Sequence, residues 1–252
     1  YRIYRKVREG NFSRIKTVDA NTTSYVDNTA KTGTEYVYTV RAERMVGGTP
    51  VLSSYYAGIS GAAKLSVPSL KSAVSADYDK IKISWNAVPG ASGYRVYRKS
   101  GSDWVNLKTV SAKTTSYTNL KYIKTGTVYT YTVRAYRRVD GQVVWGDYSE
   151  KGITGKAVLA TPELESTYAE AGGLNIDWRP VSGAEGYLVF RKTGKEGWKT
   201  VKRLNGTEQL HYVDKTVKRN VTYYYTVRAF RFEDGKSVLS GYVKDGLKAI
   251  LR

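Results

Sequence analysis

The run VYTYTVRAY at Val128–Tyr136 alternates strictly. Tyr129, Tyr131, Val133 and Ala135 fall on one side; Thr130, Thr132, Arg134 and Tyr136 fall on the other. A period of two, dominated by Thr, Tyr and Val, predicts an antiparallel strand buried on one face. The run IKISW at Ile81–Trp85 alternates in the same way. Asp140-Gly141 and Asp234-Gly235 separate pairs of such runs, and Gly47-Gly48 fills the same place nearer the start. These dipeptides supply the positive φ that a two-residue hairpin requires. No segment carries a convincing amphipathic helical period. The pattern predicts an all-β chain.

The strand signatures recur. YTVRA occurs at Tyr38–Ala42, Tyr131–Ala135 and Tyr225–Ala229, spaced 93 and 94 residues apart. The phrase YRIYRK that opens the chain returns as YRVYRK at Tyr94–Lys99 and as YLVFRK at Tyr187–Lys192. TTSYVD at Thr22–Asp27 returns as TTSYTN at Thr114–Asn119, and more loosely as QLHYVD at Gln209–Asp214. A period this long is that of a small domain, not of a solenoid repeat. The units fall at 1–66, 67–158 and 159–252. The joins are short and poor in Gly and Ser, and each ends in a proline step, at Pro68 and Pro162. Such joins predict a semi-rigid rod.

Several short strands within about 90 residues, punctuated by turns, predict antiparallel β-sandwiches. Each full unit resembles a fibronectin type III domain. The resemblance rests on Pro68 and Pro162 near the start and on Trp85 and Trp178 ending the second strand. VPGASGY and VSGAEGY then lead into the third strand, and Y-x-Y-T-V-R-A marks the sixth. Tyr36, Tyr129 and Tyr223 match the tyrosine-corner position, though Asn220-Val221 replaces Gly-Thr before the third of them. The core Trp precedes the Gly-Tyr strand and cysteine is absent, which favours type III over true immunoglobulin domains. The wording looks like that of modules in secreted and surface proteins of Gram-positive bacteria. That resemblance implies an extracellular or cell-surface location and a spacer or adhesive role beside other domains.

The first unit begins at its third strand and has no counterpart of the Trp85 strand. Without an initiator Met, the sequence reads as a piece of something longer. Three expectations stay open for the first unit: the strands lie outside this sequence, they were removed by proteolysis, or a strand-donating partner supplies them.

The net charge of +19 favours anionic partners. Lys and Arg exceed Asp and Glu in every unit, by 10 to 5, 15 to 6 and 16 to 11. The charge is therefore a diffuse coat. No long basic run or nucleic-acid module accompanies it, which sets nucleic acid aside. No apolar run is long enough for a membrane span. An anionic wall polymer, a glycan or a host surface protein are the candidate partners.

Catalytic chemistry finds little support. There are no cysteines and one histidine, His211, so thiolate metal sites and Cys–His pairs are excluded. Asp77 and Asp79 lie on an expected turn without further acidic ligands, and read as solvated. The expectation is a non-enzyme without cofactors. The candidate ligand surface is instead a sheet face. If Tyr94 and Val96 point inward, Arg95, Tyr97, Lys99, Arg134 and Tyr136 point outward. The third unit offers Phe190, Lys192, Tyr224, Arg228 and Phe230 in the same way. Alternating Arg and aromatic side chains suit stacking on sugar rings. They also suit cross-strand pairing, which stabilises a sheet with no ligand at all.

Overall fold

A computed structural model of the chain describes residues 1–170, 172–194 and 196–252. The second unit shows the architecture most fully, but the strands are numbered from the start of the chain. The first unit holds β1 (Arg2–Val7), β2 (Ser13–Thr17), β3 (Glu35–Arg41), β4 (Glu43–Val46), β5 (Thr49–Leu52) and β6 (Ile59–Ala62). The second holds β7 (Leu70–Asp77), β8 (Lys80–Trp85), β9 (Gly93–Ser100), β10 (Asp103–Ser111), β11 (Ser116–Asn119), β12 (Val128–Val139), β13 (Gln142–Trp145) and β14 (Ile153–Lys156). The third holds β15 (Leu164–Glu170), β16 (Gly173–Trp178), β17 (Gly186–Lys192), β18 (Lys199–Asn205), β19 (His211–Asp214), β20 (Thr222–Glu233), β21 (Lys236–Leu239) and β22 (Leu247–Ile250).

In the second unit one sheet runs β11-β8-β7 and the other β10-β9-β12-β13, with β14 also pairing β12. The third unit repeats this as β15-β16-β19 and β18-β17-β20-β21, with β22 on β20. Among the described residues every pairing is antiparallel apart from one isolated bridge, Thr32 to Ala63. The cores are the inward halves of the alternating runs. Ile81, Ile83, Trp85, Tyr94, Val96, Tyr131 and Val133 pack together in the second unit, and Leu174, Ile176, Trp178, Tyr187, Val189, Tyr225 and Val227 in the third. The hairpins turn as their sequences require: Asp140, Gly141, Asp234, Gly235, Gly47 and Gly48 all have positive φ. Each corner tyrosine accepts a hydrogen bond from the backbone N–H five residues earlier, Lys31 to Tyr36, Lys124 to Tyr129 and Lys218 to Tyr223.

The first unit has the sheet β2-β1-β3-β6 and a separate hairpin β4-β5. Its inner face forms an open cleft of about 690 Å³.

On the inner face of each unit sits a polar cluster, solved in two ways. In the third unit Asp214 accepts from Arg191 Nη1 (2.7 Å), Tyr225 Oη (2.9 Å) and the Thr216 hydroxyl (2.7 Å) and N–H (2.9 Å). In the first unit Asp27 accepts likewise from Arg5, Tyr38 and Thr29. The second unit has Asn119 there, donating to Tyr131 Oη, and Arg98 turns instead to the Lys121 and Tyr122 carbonyls. Burial opposes ionisation of both aspartates, but the donors outweigh it. Asp27 is held down at about 2 and Asp214 below its ordinary value. A carboxyl whose folded pKa is lowered stabilises the fold above its unfolded pKa, and that term is lost as pH falls through the folded value. Wild type should therefore exceed Asp214→Asn in third-unit stability at pH 7. The gap should close as pH falls below about 4. Calorimetric melts of both proteins from pH 7 to pH 2 check this; a gap that does not narrow between pH 4 and pH 2 would refute it.

Candidate ligand face and inter-unit joints

Register places the outward residues side by side. Arg95 pairs with Arg134 and Tyr97 with Thr132 across β9 and β12. Leu188 pairs with Arg228, Phe190 with Thr226 and Lys192 with Tyr224 across β17 and β20. Two arginines directly opposite should repel. The second unit relieves this with Trp145, whose ring lies 4.4 Å from the Arg95 guanidinium and 5.5 Å from that of Arg134. Tyr136 packs on the same indole at 5.3 Å. The first unit pairs Arg2 with Arg41 and neutralises Arg2 with a bidentate bond to Glu43, at 2.6 and 2.8 Å. The third unit replaces the first arginine by Leu188.

A four-residue arrangement recurs on all three faces. In the second unit Lys99 Nζ lies 5.7 Å from the Trp104 ring, Trp104 meets Tyr148 edge-on at 6.3 Å, and the Arg134 guanidinium lies 5.6 Å from Tyr148. The third unit repeats it with Lys192, Trp198, Tyr242 and Arg228, and the first with Lys6, Phe12, Tyr55 and Arg41. Each arginine also donates through Nε to a backbone carbonyl: Arg41 to Ser53, Arg134 to Gly146 and Arg228 to Ser240, at 2.6–2.8 Å. The faces are therefore internally engaged. Such cation–ring contacts are worth about 0.5–1 kcal/mol each at partly exposed sites, and the carbonyl bonds tie down the chain after the hairpin. A polar cleft of about 450 Å³ lies in the second unit between Tyr97, Trp104 and Tyr148, rimmed by Lys99, Asp103 and Glu150.

The ring partners Phe12, Trp104 and Trp198 and the tyrosines Tyr55, Tyr148 and Tyr242 are absent from the residues singled out by strand alternation. Their signal was the repeat spacing: Trp104 to Trp198 and Tyr148 to Tyr242 are both 94 residues. Two expectations fail. Phe230 is not a surface residue but is 1% exposed. It lies against Gly186, where a Cβ would come 2.5 Å from its ring, and is covered by Phe232 and by Arg203, whose guanidinium is 4.1 Å from the ring centre. Thr132, which alternation puts on the open face, is also buried and donates to the Ser149 carbonyl. Arg95, Tyr97, Arg134, Tyr136, Phe190, Lys192, Tyr224 and Arg228 are half-buried, and Lys99 is exposed. His211 is exposed on β19, and no described residues gather three or more His, Cys, Asp or Glu for a metal.

The two joints are built alike. Ala157 packs into the second unit's core at 0% exposure, and Leu159 into the third unit's core at 2%. Only Val158 separates them, and its N–H donates to Ser75 Oγ. In the earlier joint Leu65, which the boundary at 66 groups with the first unit, is buried in the second unit's core. Gly33 and Gly126 both have φ of +80° and donate their N–H to the linker carbonyls of Ala63 and Ala157. A Cβ on either would press on a valine of the next unit's hairpin, 2.6 Å from Val144 or 3.1 Å from Val238. Beside each glycine a lysine reaches the hairpin aspartate, Lys31 to Asp140 and Lys124 to Asp234, both at 2.8 Å. These exposed pairs orient more than they stabilise. Tyr78 adds a further contact to the second joint, its ring 4.9 Å from the Arg231 guanidinium.

A family model described as fibronectin type III domain SaeA third domain matches residues 1–59. Over 239 residues the chain is 30% identical to Exoglucanase B of Cellulomonas fimi, covering 83% of this chain and 20% of that protein. The chain thus spans about a fifth of the length of this curated relative. Among solved structures, the FN1–FN3 domains of chicken CNTN1 match at 18% identity and TM-score 0.35, over 100% of this chain and 91% of that one. A two-domain fibronectin type III segment of chicken tenascin matches at 17% identity and TM-score 0.43, over 71% and 98%. With its first unit matched by the type III model and its later units repeating the same signatures 93 and 94 residues on, the chain is a tandem array of the fibronectin type III family.

Proposed function

We propose that this chain is a non-catalytic extracellular spacer that holds neighbouring domains at a set distance and orientation. The observation that carries this reading is the second joint, where consecutive cores are anchored by Ala157 and Leu159 with one residue between them. A linker this short, with both ends buried, leaves little freedom for the units to swing. The net charge of +19 supports weak, multivalent attachment to an anionic envelope. The likeness to one-fifth of an exoglucanase supports a place beside a catalytic domain rather than as one. On the sheet faces the rings and cations already satisfy one another, which supports a structural part for them.

The test measures the joint directly. The cysteine-free chain takes two unique spin labels, at exposed Lys113 and Glu208. Wild type should give one narrow distance distribution. Gly126→Asn should broaden it, because the new Cβ meets Val238. The third unit tolerates asparagine at the equivalent corner, Asn220 with φ of +60°, so the second unit itself should melt within a few degrees of wild type. A wild-type distribution as broad as the variant's would refute the rigid spacer.

A further inference from the structure

The polar cleft of the second unit is built on the frame of cations and rings that recurs in all three units. Tyr97, Trp104 and Tyr148 form its half-buried walls, with Tyr97 and Tyr148 stacked at 6.4 Å and 26°. Lys99 and Arg134 belong to the recurring frame. Asp103 and Glu150, also on the cleft, do not. The third unit has Gly197 and Lys244 at those places. The first has Asn11 and, in a segment one residue shorter, Ala57. The third unit keeps its Lys192, Trp198, Tyr242 and Arg228 contacts without any such carboxylates, so the carboxylates are not what holds the frame together.

A second observation is electrostatic. Two cations and two carboxylates line this one cleft of about 450 Å³, yet among the described residues none of Lys99, Arg134, Asp103 and Glu150 is in a salt bridge. Asp103 accepts a bond of 3.3 Å from the neighbouring Ser102 hydroxyl. Arg134 gives its Nε to the Gly146 carbonyl, which leaves its Nη groups as the donors it can offer. The cleft therefore presents uncommitted donors and acceptors around half-buried rings. The side-chain charges that line it balance, in a chain of net charge +19. Its volume is that of an ordinary small-molecule site.

We propose that this cleft binds a neutral sugar, a pyranose segment of an uncharged glycan. Balanced charge favours neither an anion nor a cation. The rings of Tyr97, Trp104 and Tyr148 offer apolar surface to the C–H groups of a sugar ring, while their polar atoms stay wet. The carboxylates of Asp103 and Glu150 accept from hydroxyls, and Lys99 and Arg134 donate to hydroxyl oxygens. Such charge-assisted bonds are stronger than neutral ones. A ring edged with hydroxyls, each both donor and acceptor, is the chemistry that engages both signs at once. This is a local pocket in one unit rather than a property of the basic coat, and it stands whether or not the array is a rigid spacer.

The experiment is a calorimetric titration of the full chain with tetrasaccharides of glucose, mannose, galactose and N-acetylglucosamine, at about 0.15 M and about 1 M NaCl. At least one sugar should bind, with an affinity that salt changes by less than about twofold, since a neutral ligand has no charge to screen. Asp103→Gly combined with Glu150→Lys puts the third unit's residues into the second. The pair should weaken the binding by about tenfold or more, the loss of charged hydrogen-bond partners. It should leave the second unit's melting temperature unchanged, as the third unit folds with those residues. Should the pair lower the melting temperature, Glu150→Gln, at an exposed side chain, carries the same expectation of weakened binding. Failure of all four sugars to bind would overturn the proposal. So would binding that disappears at high salt, which belongs to the basic coat, or binding that the variants leave intact, which lies elsewhere on the chain. Tighter binding of alanyl-alanine than of any sugar would overturn it in favour of a zwitterionic ligand.

Discussion

Replacing Asp214 with alanine should lower the stability of the third unit by about 3 kcal/mol or more. The change strips the acceptor from Arg191, Tyr225 and Thr216 together, leaving a half-buried guanidinium and a buried phenol without their shared partner. For a unit of this size that is a fall in melting temperature of at least about 10 °C. Asp214→Asn should cost less than half as much. Asparagine keeps a polar group for Tyr225, and the second unit already folds around Asn119 with its arginine redirected to backbone carbonyls. Urea melts of the two variants, followed by the transition assigned to the third unit, decide the matter. Equal costs would mean that the charge is irrelevant and only the packing counts.

Trp85→Ala should be comparably severe, at about 3–5 kcal/mol, because it empties the centre of the second unit. The indole is 1% exposed and packs edge-on against Tyr94 at 5.5 Å. Trp85→Phe should be mild, at about 1 kcal/mol. The reason is that Trp85 Nε1, like Trp178 Nε1, is buried without a hydrogen-bond partner among the described residues. An unmatched buried donor costs about 1–3 kcal/mol, so phenylalanine loses volume but also removes that cost. If Trp85→Phe proves as damaging as Trp85→Ala, the indole N–H has a partner and this account of the core is wrong.

Much of the architecture was legible in alternation and repetition. The inward positions of IKISW and VYTYTVRAY are the core, and the Asp-Gly pairs are the hairpins, because a two-residue period and a need for positive φ are local properties. The side on which Arg95, Arg134 and Arg228 lie was legible for the same reason. What covers that side was not. Phe230 has the outward parity of its strand yet is buried, because Arg203 reaches over it from β18, across β17, and Phe232 packs beside it. Parity assigns a face, while burial depends on side chains that arrive from distant sequence. The ring partners Trp104 and Tyr148 escaped for a related reason. They lie outside the two strands whose alternation was compared, and only the register of β9, β10 and β12 with the chain beyond β13 brings them together. The joints were anticipated as short. Their construction, with Leu65 crossing into the second unit's core and Leu159 plugging the third, depends on packing that no local pattern records.

Leu65 and Leu159 also bear on how such arrays are cut and recombined. Leu65 lies ahead of the boundary at 66 yet fills the core of the second unit, and Leu159, the first residue of the third unit, fills that unit's core ahead of Pro162. A gene segment that is to carry a whole unit to a new setting must therefore begin ahead of its leucine, at Lys64 or Val158, rather than at the proline that marks the boundary by eye. A recombination point at Pro68 or Pro162 would hand the leucine to the wrong neighbour. The exchangeable cassette of this array is thus shifted a few residues upstream of its apparent edge, and a transplanted unit brings its own plug with it.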